Sequence, residues 1–222
     1  MGRETVTDDA ATVQDPMVLD SPWREVFELA WESYKAGSAP CGAVVVNSRG
    51  ALVSQGRNRA HEVKAPARQL AGTYLAHAEL NAIAQLPAGR YPDHSLYTSL
   101  EPCLLCLGAV VTCSLGSVRF AGDDPWGGSR TIALDQIPRA VHYMPVIDGP
   151  RRDRIGRLGA ALFLEWYMRQ SSDNPRLDYI RSHPTEALRL AERLSKRKVL
   201  VEAAAADQTL DQTLESVWNV AD

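Results

Sequence analysis

From Ser21 to Gly37 apolar residues recur at helical spacing, with Phe27, Ala30, Trp31 and Tyr34 falling on one face. Ser21 followed by Pro22 reads as the cap and first turn of that helix, and Gly37 as its stop. The period then changes. Gly42 to Asn47 and Ala51 to Gly56 are β-runs on either side of Ser48-Arg49-Gly50, which predicts an antiparallel hairpin. Residues 73–86 return to helical spacing, and Ser95 to Leu100 is a short strand. Glu101-Pro102 interrupts it, and residues 103–115 read as a helix with almost no polar face, predicted to lie in the interior. Two further strands are expected at 117–121 and 141–147, separated by a Gly- and Asp-rich loop and a short helix.

Strands alternating with helices predict an α/β fold, a three-layer α/β/α sandwich whose sheet is mostly parallel apart from the opening hairpin. One domain over 21–170 accounts for this pattern. Residues 1–20 are polar and lack an apolar period, which predicts a disordered tail. Beyond the domain, 171–222 is expected as a C-terminal helical extension: a helix over 184–205 carrying Leu188, Ala191, Leu194 and Val199, then an amphipathic piece ending near Val220.

The composition, 45% hydrophobic and 23% charged in 222 residues, is that of an ordinary soluble domain. A net charge of −3 gives the chain no overall field for a polyanion, which counts against nucleic acid without excluding a local basic groove. No secretory signal opens the sequence and no apolar run approaches the ~20 residues that span a bilayer, so a cytoplasmic protein with no membrane partner is expected. Of four cysteines, two stand as Cys103-x-x-Cys106, and in a reducing compartment that spacing favours metal or redox chemistry over a disulfide.

His77 and Glu79 on one predicted helix, with Cys103 and Cys106 at the start of another, supply three zinc ligands and a carboxylate. A catalytic zinc takes three protein ligands and keeps its fourth corner open. A redox pair or a closed structural site is the plainer alternative. Cys113, seven residues past Cys106, lies about 10.5 Å further along a helix and is too far to share an ion. It reads as an apolar residue. Cys41, His61 and His94 remain open as fourth ligands, while His142 and His183 receive no role. One difficulty is geometric: residues two apart on a regular helix point about 200° apart, so His77 and Glu79 converge only if the helix begins there.

His77-Ala78-Glu79 with Pro102-Cys103-Leu-Leu-Cys106 has the H-x-E and P-C-x-x-C spacing of zinc nucleobase deaminases. With Gly42-Ala-Val-Val-Val, Gly56-Arg-Asn58-Arg and Ser99-Leu-Glu-Pro-Cys103, the chain over 21–170 resembles the cytidine and deoxycytidylate deaminase superfamily. Within it, the resemblance is to the guanine, cytosine and transfer-RNA adenosine deaminases. It implies a five-stranded mixed sheet, one Zn2+ per subunit held by His77, Cys103 and Cys106, Glu79 as proton shuttle, and commonly a homodimer. It also implies that Asn58 hydrogen-bonds the substrate ring, although an Asn after a strand equally suits a turn.

Zinc would lower the pKa of a bound water towards about 7, and hydrolysis would release ammonia from an amidine-like ring carbon. In the loop 122–128, Asp124 is placed to accept from ring N–H groups and Trp126 to stack on the ring, against the simpler reading of a turn with a packed Trp. The 60–76 connection is longer than in the transfer-RNA enzymes and is expected beside the pocket. Arg193, Lys196, Arg197 and Lys198 share their helix with acids and read as a solvated face. The expected function is deamination of a free nucleobase or nucleoside, with a guanine-like purine favoured. The alternatives are transfer-RNA adenosine deamination and a catalytically silent zinc-containing binding subunit, against which the presence of Glu79 argues.

Overall fold

Described in a computed structural model over residues 19–170 and 175–221, the chain forms a mixed sheet with helices on both faces. Of the expected 1–20 tail, residues 1–18 lie outside the described residues, and Leu19 is buried in the core.

The first helix, α1 (Trp23–Lys35), starts after Pro22, and a chain reversal at Gly37 with φ +79° follows its C-cap. It buries the face that carries Val26, Phe27, Ala30, Trp31 and Tyr34, as its period requires. Next come β1 (Gly42–Val46) and β2 (Leu52–Arg57), which pair antiparallel as a hairpin. The helix expected over 73–86 is shorter, α2 (Ala78–Ile83). It is followed by β3 (Ser95–Leu100), α3 (Leu104–Cys113) and β4 (Ser117–Gly122).

The stretch 141–147, expected as one strand, splits into the end of α4 (Pro138–Tyr143) and the start of β5 (Val146–Asp148). Pro138 occupies the first helical turn, where its missing N–H is no loss, and this sets the chain into helix before the strand begins.

The sheet order is β2-β1-β3-β4-β5. β1 runs antiparallel to β3 as well as to β2, while β3, β4 and β5 are mutually parallel, so the sheet is mixed rather than mostly parallel. β1, Gly-Ala-Val-Val-Val, is buried along its whole length because helices cover both of its faces. A Cβ on Gly42 would collide with α1. Gly56, paired with Ala43 and therefore facing the other way, would collide with α2.

α3 corrects an expectation. Cys106, Leu107, Val110 and Val111 are buried, but Leu104 is 55% exposed and Leu105 44%, so one apolar face of this helix looks outward.

The remaining described elements are helices. α5 (Arg154–Gln170) and α6 (Pro175–Ser182) were not singled out by the sequence pattern. The helix expected over 184–205 breaks into α7 (Glu186–Lys196) and α8 (Val199–Ala205) where Lys198 adopts left-handed φ +54°. Thr185 caps α7 by accepting the Leu188 N–H at 3.1 Å. Arg197 and Lys198 are exposed, whereas Arg193 donates to the Ala221 carbonyl at 2.9 Å. The last helix is α9 (Leu210–Ala221).

Leu188, Leu194, Leu200, Leu214 and Trp218 belong to the same apolar cluster as Phe27, Val45 and Phe120, so the extension and the sheet share one core. Trp31 Nε1 donates to the Gln208 carbonyl at 2.8 Å, and Arg24 pairs with Asp211 at 2.6 Å along the same seam. Among the described residues no helix is long and apolar enough to cross a membrane.

Candidate active site

His77 and Glu79 converge because the helix starts between them. His77 is the N-cap of α2, extended at φ −73°, ψ 155°, and Glu79 is the second helical residue. The second motif repeats the device: Cys103 is the N-cap of α3 at φ −74°, ψ 173°, and Cys106 is its third residue. The spacing H-x-E therefore never has to wrap around a regular turn. Two helix N-termini face one another, and their partial positive charge favours thiolate and carboxylate.

Close packing fixes α2. A Cβ on Gly56 would meet the Ala78 carbonyl oxygen and the Asn81 carbonyl carbon at 2.6 Å, so only glycine allows the approach. From the same helix Asn81 donates to the carbonyls of Arg57 (3.0 Å) and Leu70 (3.1 Å) and accepts the Leu70 N–H (2.7 Å), which ties down the 60–76 connection. From β3 the Thr98 hydroxyl donates to Glu79 Oε1 at 3.3 Å.

The three ligand atoms sit as a metal requires. His77 Nδ1 lies 3.4 Å from Cys106 Sγ and 3.6 Å from Cys103 Sγ, and the sulfurs are 3.7 Å apart. A tetrahedral zinc with Zn–S about 2.3 Å and Zn–N about 2.0–2.1 Å would set its ligands about 3.8 Å (S···S) and about 3.5–3.6 Å (S···N) apart. The donor set and its edges both fit zinc.

The four side chains differ in proton affinity. The hydrogen bond from Cys106, aided by His77, lowers Cys103 to about 4 despite burial, while that same bond and burial raise Cys106 well above a free thiol. His77 is raised by its bond to Cys103. Burial raises Glu79, against the pull of His77. Its Oε2 accepts from Cys106 Sγ at 3.3 Å.

Among the described residues no further His, Cys, Asp or Glu joins the three within ligand reach. Cys41 and His61 line the same cavity but stand outside the group, and His94 pairs with Asp93 at 2.7 Å instead. Cys113 is half-buried against the core, as an apolar residue would be.

The site opens into a cavity of about 320 Å³ that brings together every residue assigned from sequence except Cys106, which lies buried behind it. Asn58 is buried there, and its Oδ1 accepts the Ala60 N–H at 3.0 Å, leaving its amide NH2 as the donor. Asp124 lines the wall while its Oδ1 accepts the N–H groups of Trp126 (3.2 Å) and Gly127 (3.0 Å), so it builds the turn and faces the cavity at once. Trp126 is half-exposed at the cavity wall, with its ring edge-on to Tyr179 of α6 at 5.6 Å.

Buried Glu101 anchors this loop by accepting from the Asp124 and Arg130 backbones and from the Arg130 side chain. The 60–76 connection supplies His61 and Tyr74 to the lining. Phe163, Trp166 and Tyr167 of α5 and Arg176 of α6 complete the wall, and the sequence reading missed them. No short motif marks them, since they come from helices distant in the chain. A larger cleft of about 680 Å³, beside Arg151, Arg152, Arg154 and Arg157, contains neither His nor Cys, so the chemistry belongs to the smaller cavity.

Comparison with known proteins covers His77, Glu79, Cys103 and Cys106 of this site. A profile described as the cytidine and deoxycytidylate deaminase zinc-binding region matches residues 20–121. The chain is 31% identical over 148 residues to a tRNA-specific adenosine deaminase of Bacillus subtilis, covering 64% of this chain and 86% of that protein. It is 37% identical over 145 residues to a guanine deaminase of the same organism, covering 55% of this chain and 87% of that one. A tRNA(Ile)-lysidine synthase of Deinococcus radiodurans is 31% identical over 162 residues, 71% of this chain, which spans only 26% of that protein's length. The structure of a guanine deaminase from Nitrosomonas europaea shares the fold, with TM-score 0.50 at 24% identity over 69% of this chain and 88% of that one.

Proposed function

Because this chain belongs to the cytidine and deoxycytidylate deaminase superfamily, we propose that it hydrolyses the exocyclic amino group of a free nucleobase or nucleoside, a guanine-like purine first among them. That it is a zinc-binding deaminase of that fold follows from the family. The finer substrate class is our reading.

The observation that carries it is Glu79, buried beside the three ligands and open to a cavity of about 320 Å³. Pockets for small molecules run from roughly 300 to 1,000 Å³, and this one has room for a single base. Zinc held by His77, Cys103 and Cys106 would supply Lewis acidity that brings a water's pKa towards about 7. Glu79 takes a proton from the attacking water and delivers it to the ring nitrogen, then takes the proton of the new carbon-bound hydroxyl and delivers it to the departing amine, so ammonia leaves as that carbon becomes a carbonyl. Thr98 holds the Glu79 carboxylate in place, Asn58 donates to the ring, and the aromatic wall excludes water.

We further propose a homodimer. The outward face of α3, with Leu80 of α2 beside it, lines an uncharged groove of about 570 Å³ suited to a second copy of itself.

The test is ammonia release from guanine, cytosine, adenine, their nucleosides and transfer RNA, with Glu79→Ala as control. Turnover of a free base or nucleoside that vanishes in Glu79→Ala supports the reading. Turnover confined to transfer RNA, with salt-sensitive binding, replaces it with the RNA reading. Full turnover by a zinc-loaded Glu79→Ala would remove the mechanism.

A further inference from the structure

Arg176 and Asp124 face the same cavity with side chains 14% and 8% exposed, joined by an Arg176 Nη2 to Asp124 Oδ2 contact of 3.3 Å. A buried ion pair is weak evidence for stability, because desolvation offsets much of the attraction. This pair is also held from both sides. Asp124 Oδ1 is fixed by the N–H groups of Trp126 and Gly127, and the Arg176 guanidinium lies 5.0 Å from the Phe163 ring and 4.8 Å from the Tyr167 ring. The cavity wall thus carries, side by side, an anionic acceptor and a planar donor array whose orientations are set before any ligand arrives.

Resting on the base-deaminase reading above, we propose that Asp124 and Arg176 together select the substrate by its hydrogen-bonding edge. They take bases that present a ring N–H next to a carbonyl oxygen when the amino-bearing carbon is turned toward Glu79 and the His77, Cys103 and Cys106 cluster. Free guanine keeps N1–H beside its 6-oxo group. Free cytosine carries its N1–H across the ring from its amino-bearing carbon, so a pair set for guanine meets only the 2-oxo group there. Adenosine, with its single amino group committed to the reaction, retains only acceptors on its base, so Asp124 would lose a solvent partner and gain none. A site built for a donor rejects analogues lacking it more strongly than an apolar pocket rejects a size change. Arg176 is therefore a specificity-determining residue contributed by the C-terminal extension.

Binding separates this inference from the reaction itself. In Glu79→Gln, dissociation constants for guanine, cytosine and adenosine are read from the fluorescence of the cavity residues Trp126 and Trp166. Guanine should bind at least about tenfold more tightly than adenosine, about 1.4 kcal/mol, with cytosine between them. Adding Arg176→Met or Asp124→Asn should compress the ratio to about threefold or less, and Arg176→Lys should restore part of it. Asn at 124 keeps the oxygen that the turn needs, and thermal melts show whether each variant remains folded.

An unchanged ratio in folded Arg176→Met, or adenosine binding best in the parent, overturns the proposal. A wild-type enzyme that releases ammonia from no free base, yet shows the ratio and its loss in the variants, would overturn the reaction reading and leave this one standing.

Discussion

At the scale of single residues the site divides into groups proposed to hold metal and groups that merely sit nearby, and the two predict different losses. Cys103→Ser and Cys106→Ser should each reduce bound zinc well below one per chain, because each sulfur forms an edge of the His77–Cys103–Cys106 triangle. Cys41→Ser and Cys113→Ser should keep it, since neither joins that group. Metal analysis of purified variants decides, and zinc retained by Cys106→Ser would break the ligand assignment. Chelation should abolish ammonia release, and added zinc should restore it.

A second residue-scale prediction concerns Glu165 on α5, whose Oε2 accepts the Tyr34 hydroxyl at 2.9 Å. Burial pushes its carboxyl above the usual range, against the downward pull of Arg169 and of the Tyr34 hydrogen bond. The native state then keeps a proton that the unfolded chain releases near pH 4.3, so this group makes stability fall as pH rises through that window, at about 4.3 and above. Glu165→Gln removes the titration. Its melting temperature relative to wild type should climb with pH from about 4 upward, and a pH-independent difference would contradict the assignment.

At this scale the sequence was most legible where chemistry demands rare residue types at fixed spacing, as at His77, Glu79, Cys103 and Cys106. Arg176 was illegible because an arginine on a late helix has no local signature. Only the fold brings it to Asp124, fifty-two positions earlier.

At the scale of elements, the site depends on where two helices begin. Periodicity placed a helix over 73–86, but its true start at Ala78 is what lets His77 and Glu79 meet, and boundaries are set by caps and packing rather than by period. Strand β3 was legible to the residue because Glu101-Pro102 ends it sharply. The 141–147 stretch was not, since Val141-His-Tyr has strand-like composition while Pro138 commits it to a helical turn.

The packing that fixes α2 gives a direct test. Gly56→Ala puts a methyl group where the Ala78 carbonyl oxygen and Asn81 carbonyl carbon lie 2.6 Å away. Overpacking of this kind destabilises by roughly 1–3 kcal/mol. Because α2 carries both His77 and Glu79, activity should drop further than the loss of folded protein explains. Chemical denaturation alongside kcat measures both, and a variant with wild-type stability would show that the helix yields more freely than its contacts suggest.

On the scale of the whole molecule, the apolar face of α3 is what the proposed homodimer rests on. The sequence pattern put this helix wholly inside because nothing along it is charged, yet only Cys106, Leu107, Val110 and Val111 are covered. A helix that buries one apolar side and bares the other leaves an interface open. The groove it lines holds Leu80, Leu104, Leu105, Gly108, Ala109, Thr112 and Cys113, with no charged group among them. In a two-fold contact each surface meets its own copy, so a charge-free strip avoids like-charge repulsion by construction.

The same helix carries Cys106 and opens at Cys103, so the proposed dimer would brace the zinc site from behind. Leu104→Glu with Leu105→Glu places like charges across the two-fold axis and should convert a dimer to a monomer by sedimentation. Zinc affinity should weaken while the isolated fold, whose core these side chains do not enter, keeps its circular dichroism. A wild-type protein that sediments as a monomer at micromolar concentration would remove the dimer and leave the bare face of α3 in need of another partner.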